Sequence, residues 1–321
     1  MISDWHKADN DTNTPHNADT NTPHEVLRYI SPTPYARLGT TGKSGFLRLG
    51  FECDASGRTI LRDWERRVPL IVQQALYFDE QLPDMACVYI LSSGGPNLDG
   101  DRYEQLFTLR RGAMVHLSTG AATKIAEMRH NYSSLRQHIR LEEGSYLEYL
   151  PEPVIPCRHS RYISDTQITI AHSAVLLYGE IYLPGRRHYG RGERFEYDLL
   201  SVAMRVERED GELLFREKFT VEPHRHHPQR RGAMGEYEIF ANVVLIADEP
   251  IADDIYNATT PAIDHAEELL YGITRLPNHC GVQLKVLGNS TDKVKRLVRH
   301  FASRVRQRVK HKPLRDDFVW R

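Results

Sequence analysis

No local cysteine spacing is available to hold a metal or a redox pair. Cys53, Cys87, Cys157 and Cys280 lie far apart with no C-x-x-C between them, which excludes a zinc ribbon or thioredoxin-type site and reads as reduced thiols in a cytoplasmic protein. No apolar run approaches the ~18 residues of a membrane span, and the amino terminus lacks the basic-then-apolar layout of a secretory signal. Neither sign of charge dominates: 42 Lys and Arg stand against 43 Asp and Glu, so no overall field draws nucleic acid or an acidic membrane. G-x-S-x-G and H-E-x-x-H are missing as well, and with them the most readable hydrolase and zinc-protease signatures. Disulfide staples are not needed, because 321 residues bury enough surface without them.

Two stretches imitate a phosphate loop and fail. GGPNLDGD (94–101) places Gly95 and Gly100 at Walker A spacing, but Asp101 follows where a lysine must meet the phosphates. GTTGKSG (39–45) contains a GKS, yet the glycine required five residues before Gly42 is Arg37. Nucleotide hydrolysis is therefore not expected of this chain.

What is present in quantity is period-two patterning. Leu47, Leu49 and Phe51 alternate with Arg48, Gly50 and Glu52; Tyr103, Gln105, Phe107 and Leu109 alternate with more polar neighbours; many similar short runs follow up to about residue 247, punctuated by Gly, Pro, Asn and Asp. The middle of the chain is thus expected to be sheet. Near the carboxyl end the spacing predicts helices over 261–271 and from Ser290 to about Lys310, the second with an apolar stripe of Val294, Leu297, Val298, Phe301 and Val305. Ser290 and Asp292 suit its start, and Arg304, Arg306, Arg308 and Lys310 suit the negative end of its dipole as a solvated basic face. The hexapeptide DTNTPH occurs at 11–16 and 19–24 in a stretch poor in apolar residues, so residues 1–30 are expected to be a disordered low-complexity tail and 31–321 a single β-rich domain.

Histidine marks two further places. PHRHHP (223–228) carries His224, His226 and His227, ligands suited to nickel, zinc or copper, or simply a solvated loop. In PCRHS, Cys157 and His159 would share one face if the segment were a strand, the one local hint of a cysteine-dependent enzyme.

Four blocks in order resemble the UreD (UreH) family of urease accessory proteins. GGPNLDGD is similar to that family's GG-x-x-x-GD signature, and STGAATKI (118–125) resembles its TTQ-x-x-TK segment. LEYLPEPVIP (147–156) resembles its LEWLP block, and GEIYLPGRRHYGRGE (179–193) its E-x-x-x-x-GR-x-x-x-GE block. Gly120, where the family has Gln, and Ile125-Ala126, where it has an aromatic, are departures. The resemblance implies a mainly β, solenoid-like (β-helical) body with a few helices, and a non-catalytic scaffold. Such a scaffold docks on apo-urease and recruits UreF and the GTPase UreG, so that Ni(II) reaches the urease active site with no tightly bound cofactor.

The resemblance also implies an internal water-filled passage, with Asp101, Thr123, Lys124 and Glu180 as its lining or gate and Arg186 and Glu193 as lining or structural residues. Asp101 and Glu180 are the candidate transient nickel ligands, since sparse carboxylates release a metal that several His or Cys ligands would retain. The competing expectation is that Asp101 accepts backbone N–H bonds in a tight turn and that Lys124 or Arg186 pairs with a buried carboxylate. A sugar- or polymer-binding β domain is the alternative function; it calls for a surface row of aromatics, whereas the tyrosines are spread at strand spacing.

Overall fold

A computed structural model describes residues 22–31, 41–315 and 318; the first DTNTPH copy and the start of the second lie outside the described residues. In chain order the strands are β1 (Ser44–Cys53), β2 (Thr59–Arg67), β3 (Leu70–Ile71), β4 (Ala86–Ser92), β5 (Arg102–Leu109), β6 (Met114–Thr119), β7 (Thr123–Ile125), β8 (Ser133–Leu141) and β9 (Tyr146–Tyr149). They continue with β10 (Val154–Pro156), β11 (Arg161–Ile170), β12 (Val175–Tyr182), β13 (Leu199–Glu207), β14 (Leu213–Val221), β15 (Ile239–Ile246), β16 (Ala262–Asp264), β17 (Leu269–Arg275) and β18 (Gly281–Gly288). The α-helices are α1 (Glu249–Asn257) and α2 (Thr291–Lys310).

The strands build two sheets. The first runs β14-β13-β11-β8-β5-β1-β2; the second runs β16-β17-β18-β15-β12-β9-β6-β4-β3, with β10 joined to β12 and to β7. From β4 to β13 the long strands alternate between the sheets, so neighbours in each sheet are parallel: β5, β8, β11 and β13 in the first, β4, β6, β9 and β12 in the second. Both margins turn antiparallel. At one of them Asp54 accepts the N–H groups of Ser56 and Arg58 (2.8 and 3.1 Å), and Gly57 takes φ +89°, folding β2 back on β1. A mainly β protein with helices chiefly near the carboxyl end is therefore what is found. The expected solenoid is not: both sheets are open and mix parallel with antiparallel pairing.

Period two is obeyed where it was read. Tyr103, Gln105, Phe107 and Leu109 all point inward from β5, and they pack with Leu47, Leu49 and Phe51 of β1 against Val88, Val115, Leu117, Leu147 and Tyr149 of the second sheet. The outer face of the second sheet is closed by α2, whose Val294, Val298, Phe301 and Val305 lie on Val243, Leu245, Val282 and Leu284. Ser290 occupies the cap position of α2 without a side-chain cap bond, and Asp292 lies in the first turn.

Three expectations are corrected. The helix expected over 261–271 is instead the hairpin of β16 and β17, because β17 finds a full antiparallel partner in β18, and tertiary pairing overrides the local spacing. The short helix lies just upstream as α1, started by Asp248 accepting the Ile251 N–H (3.3 Å) and by a proline in its first turn. Within the expected tail, His24–Tyr29 is a 3-10 turn docked by Val26, which is buried with Ile163 and Leu199, and by Glu25, which meets Ser201 and Lys218 at 2.5 and 2.7 Å. Arg306, expected on a solvated face, is 0% exposed.

Candidate functional site

Between the sheets lies a cavity of about 680 Å³. Its walls come from β5, β8 and β11 on one side and β6, β9 and β12 on the other, and its rim from the GGPNLDGD turn and the segment 119–124. Gln105, Gln137, Tyr149 and Tyr178 form a hydrogen-bonded ladder through it. The Gln137 amide donates to Gln105 Oε1 and Tyr149 Oη (both 2.9 Å), while its carbonyl accepts from Tyr178 Oη at 2.7 Å and Thr166 Oγ1 at 3.0 Å. Tyr178 Oη also lies 3.4 Å from Glu180 Oε1. A chain of polar groups thus crosses an otherwise apolar interior, each member satisfied by the next.

Glu180 ends this ladder. Burial pushes its carboxyl up to about 7, against hydrogen bonds from Tyr182 and Tyr178 that pull it down, and with the Glu217 charge adding to the rise. Near neutral pH the carboxyl is therefore divided between its protonated and charged forms. Thr123 and Lys124 of β7 are at the rim: Thr123 is half-buried and Lys124 exposed, and both line the cavity.

Asp101 is placed differently. Its carboxylate is 0% exposed and accepts from the Lys43 N–H, the Leu98 N–H and the Tyr103 hydroxyl (2.8, 2.8 and 2.9 Å), with Lys43 Nζ at 3.1 Å. Gly95 and Gly100 sit at φ +71° and +82°, a region costly for any side chain, which is why the turn is glycine-rich. Asp99 holds the next loop through the N–H groups of Arg129, His130 and Asn131 (3.0, 2.9 and 2.7 Å). The carboxylates of this turn bind backbone, where a phosphate loop would bind an anion. Asp101 does not line the cavity, and neither do Arg186 and Glu193. These last two form a bidentate ion pair (2.8 and 2.5 Å) that braces the 185–193 loop.

The Cys157–His159 dyad is not formed. The segment is a turn between β10 and β11, with His159 at φ +54°; burial pushes the Cys157 thiol up, and the His159 ring lies against Asp198. Sequence reasoning missed a second buried cluster. Arg306 of α2 forks onto Glu148 of β9 (2.7 and 2.5 Å) and reaches Asp79 at 2.5 Å, while His116 Nδ1 lies 2.9 Å from Glu148. Burial would raise the Glu148 carboxyl, but the Arg306 charge outweighs it and holds the group well below its ordinary value. The apolar stripe of α2 gave no sign that an arginine next to Val305 would turn inward.

The geometry defines a two-sheet β protein with a polar-laddered internal cavity. The UreD urease accessory protein family model matches residues 43–321. A urease accessory protein UreD 2 from Brucella canis is 42% identical over 92% of this chain and 98% of its own length. Urease accessory proteins UreD from Photorhabdus laumondii and Yersinia pseudotuberculosis are 39% and 37% identical over 92% of both chains. The chain belongs to the UreD family, a family of accessory proteins and not of catalysts. No helix among the described residues is long and apolar enough to cross a membrane.

Proposed function

We propose that this chain is a urease maturation scaffold that binds apo-urease, recruits UreF and the GTPase UreG, and lets Ni(II) pass through its internal cavity. The observation that carries the reading is the cavity of about 680 Å³ with the buried Glu180 in its wall, read together with the family membership. A single buried carboxylate surrounded by amide and phenol oxygens is a weak nickel site, and a weak site releases what it accepts: each ~1.4 kcal/mol of binding given up is a tenfold gain in dissociation. Of the two carboxylates that the family resemblance marks, Glu180 is the stepping ligand. Asp101, saturated by its own turn, acts in this reading as the brace of the rim, and Lys124 sets the charge at the entrance. Tyrosines face inward to the cavity, while the large exposed aromatics among the described residues are Trp64 and Tyr189, which does not favour a polymer-binding surface.

The test is co-expression of urease subunits and accessory proteins with this chain carrying Glu180→Gln or Glu180→Ala. The complex with UreF and apo-urease should form in normal yield while nickel per urease active site falls. Normal nickel loading in both variants would overturn the transfer route, and failure of the wild-type chain to bind apo-urease would overturn the scaffold.

A further inference from the structure

His159 of PCRHS and His224 of PHRHHP, 65 positions apart in the sequence, meet at one end of the first sheet. His159 projects from the turn between β10 and β11, Asp198 immediately precedes β13, and His224 follows β14. His159 Nδ1 lies 3.1 Å from Asp198 Oδ1 and His224 Nε2 3.6 Å from the same oxygen; the three ligand atoms lie within 4.8 Å of one another. Asp198 Oδ2 is held by Arg161 Nε at 2.9 Å, and the Asp198 N–H donates to the Ser160 carbonyl at 3.0 Å, so the carboxylate is fixed and turns Oδ1 toward the imidazoles. None of the three lines the cavity.

We propose that His159, Asp198 and His224 form a surface binding site for one borderline divalent transition ion such as Ni(II) or Zn(II). Metal–ligand bonds of about 2.0–2.2 Å require neighbouring ligand atoms roughly 2.8–3.5 Å apart, which the two contacts to Asp198 Oδ1 already meet within about 0.1 Å. The widest separation closes by rotation of imidazoles that are 49% and 56% exposed. Two imidazoles and a carboxylate select this class of ion over Mg(II) and Ca(II), which prefer all-oxygen shells. The Arg161 bond to the far carboxylate oxygen is the kind of outer contact that orients a ligating carboxylate. Open coordination positions face solvent, so the ion is exchangeable and another protein can complete its shell. His226 and His227 are not part of the cluster: His227 packs on Phe195 and accepts the Gln229 N–H.

The experiment is isothermal titration of the untagged full chain, without urease or other accessory proteins, with NiCl2 and separately ZnCl2, followed by Co(II) absorption spectra. Wild type should bind one ion at this site. His159→Ala and His224→Ala should each weaken it by about tenfold or more and flatten the Co(II) d–d bands, with His226→Ala and His227→Ala unchanged. Thermal unfolding of each variant without metal confirms that the fold is kept. Undiminished binding in the His159→Ala/His224→Ala double variant, an equal loss in His226→Ala, or no binding by wild type would each overturn the site. This outcome is separate from the nickel-transfer test at Glu180, which reads urease loading.

Discussion

Lys43 Nζ lies 3.1 Å from Asp101 Oδ2, so the two stretches that each imitate part of a phosphate loop are bound to one another. The lysine of GTTGKSG neutralises the carboxylate of GGPNLDGD, and together they tie the start of β1 to the start of β5. Asp101→Ala should cost about 3 kcal/mol or more, since a buried acceptor of two backbone N–H groups and a hydroxyl is lost. Chemical denaturation measures it. A change within about 0.5 kcal/mol, the range of ordinary surface substitutions, would show that the turn does not rely on this side chain.

Arg306→Met should be among the most destabilising single changes, about 3–5 kcal/mol, because it leaves Glu148 and Asp79 buried beside no guanidinium. Arg306→Lys should restore little, since an ammonium cannot fork onto both oxygens of Glu148. Adding Glu148→Leu to Arg306→Met should recover part of the loss in a double-mutant cycle. Because the Glu148 carboxyl is held below its ordinary 4.5, its contribution is present above about pH 4.5 and is lost as pH falls toward its folded value.

Glu180 has the opposite sign. Its folded-state value of about 7 lies above the ordinary 4.5, so the folded chain binds more protons than the unfolded one between those values and stability falls as pH rises through that window. Glu180→Gln should therefore be neutral in stability below about pH 4.5 and stabilising by about 3 kcal/mol above pH 7. Denaturation midpoints across pH 4–8 check this. A difference that does not grow with pH would mean that the carboxyl is hydrated and not strained by burial.

Removing residues 1–21 should leave the unfolding midpoint nearly unchanged, the stretch having little apolar area to bury. Removing 1–30 should cost about 2 kcal/mol, because Val26 leaves its pocket against Ile163 and Leu199 and Glu25 leaves Ser201 and Lys218. Equal stability of the two truncations would show that the 3-10 turn is not a docking element.

How far the sequence revealed this molecule depended on whether the signal was local. Alternation in β1 and β5 and the stripe of α2 are properties of a few consecutive residues, and they were legible. The hairpin of β16 and β17 was not, since 261–271 carries helical spacing and becomes strand only because β18 lies beside it. Asp101 and Glu180 were found as motif members, but their opposite situations depend on neighbours that only the fold assembles: Lys43, Leu98 and Tyr103 around the first, and burial with Tyr178, Tyr182 and Glu217 around the second. Gln137 left no trace at all: a polar residue at an inward position of β8 looks like a break in alternation until Tyr178 and Gln105 are seen on either side of it. His159 and His224 were each noticed, and only the fold could join them.

The inward turn of Arg306 has a consequence for the making of the chain. Its partner Glu148 precedes it by 158 residues, so at ribosomal rates of about 5–20 residues per second a growing chain spends about 8–30 s with that glutamate synthesised and its guanidinium not yet made. During that interval Glu148 has His116 within reach but lacks the guanidinium that forks onto both of its oxygens in the finished fold. The outer-face residues Val243, Leu245, Val282 and Leu284 are made later in the same interval, and they are covered only once Val294, Val298 and Phe301 follow. Helix α2 is thus a latch in time as well as in space: a nascent chain stalled before Thr291 carries the carboxylate and the apolar strands without the element that covers them.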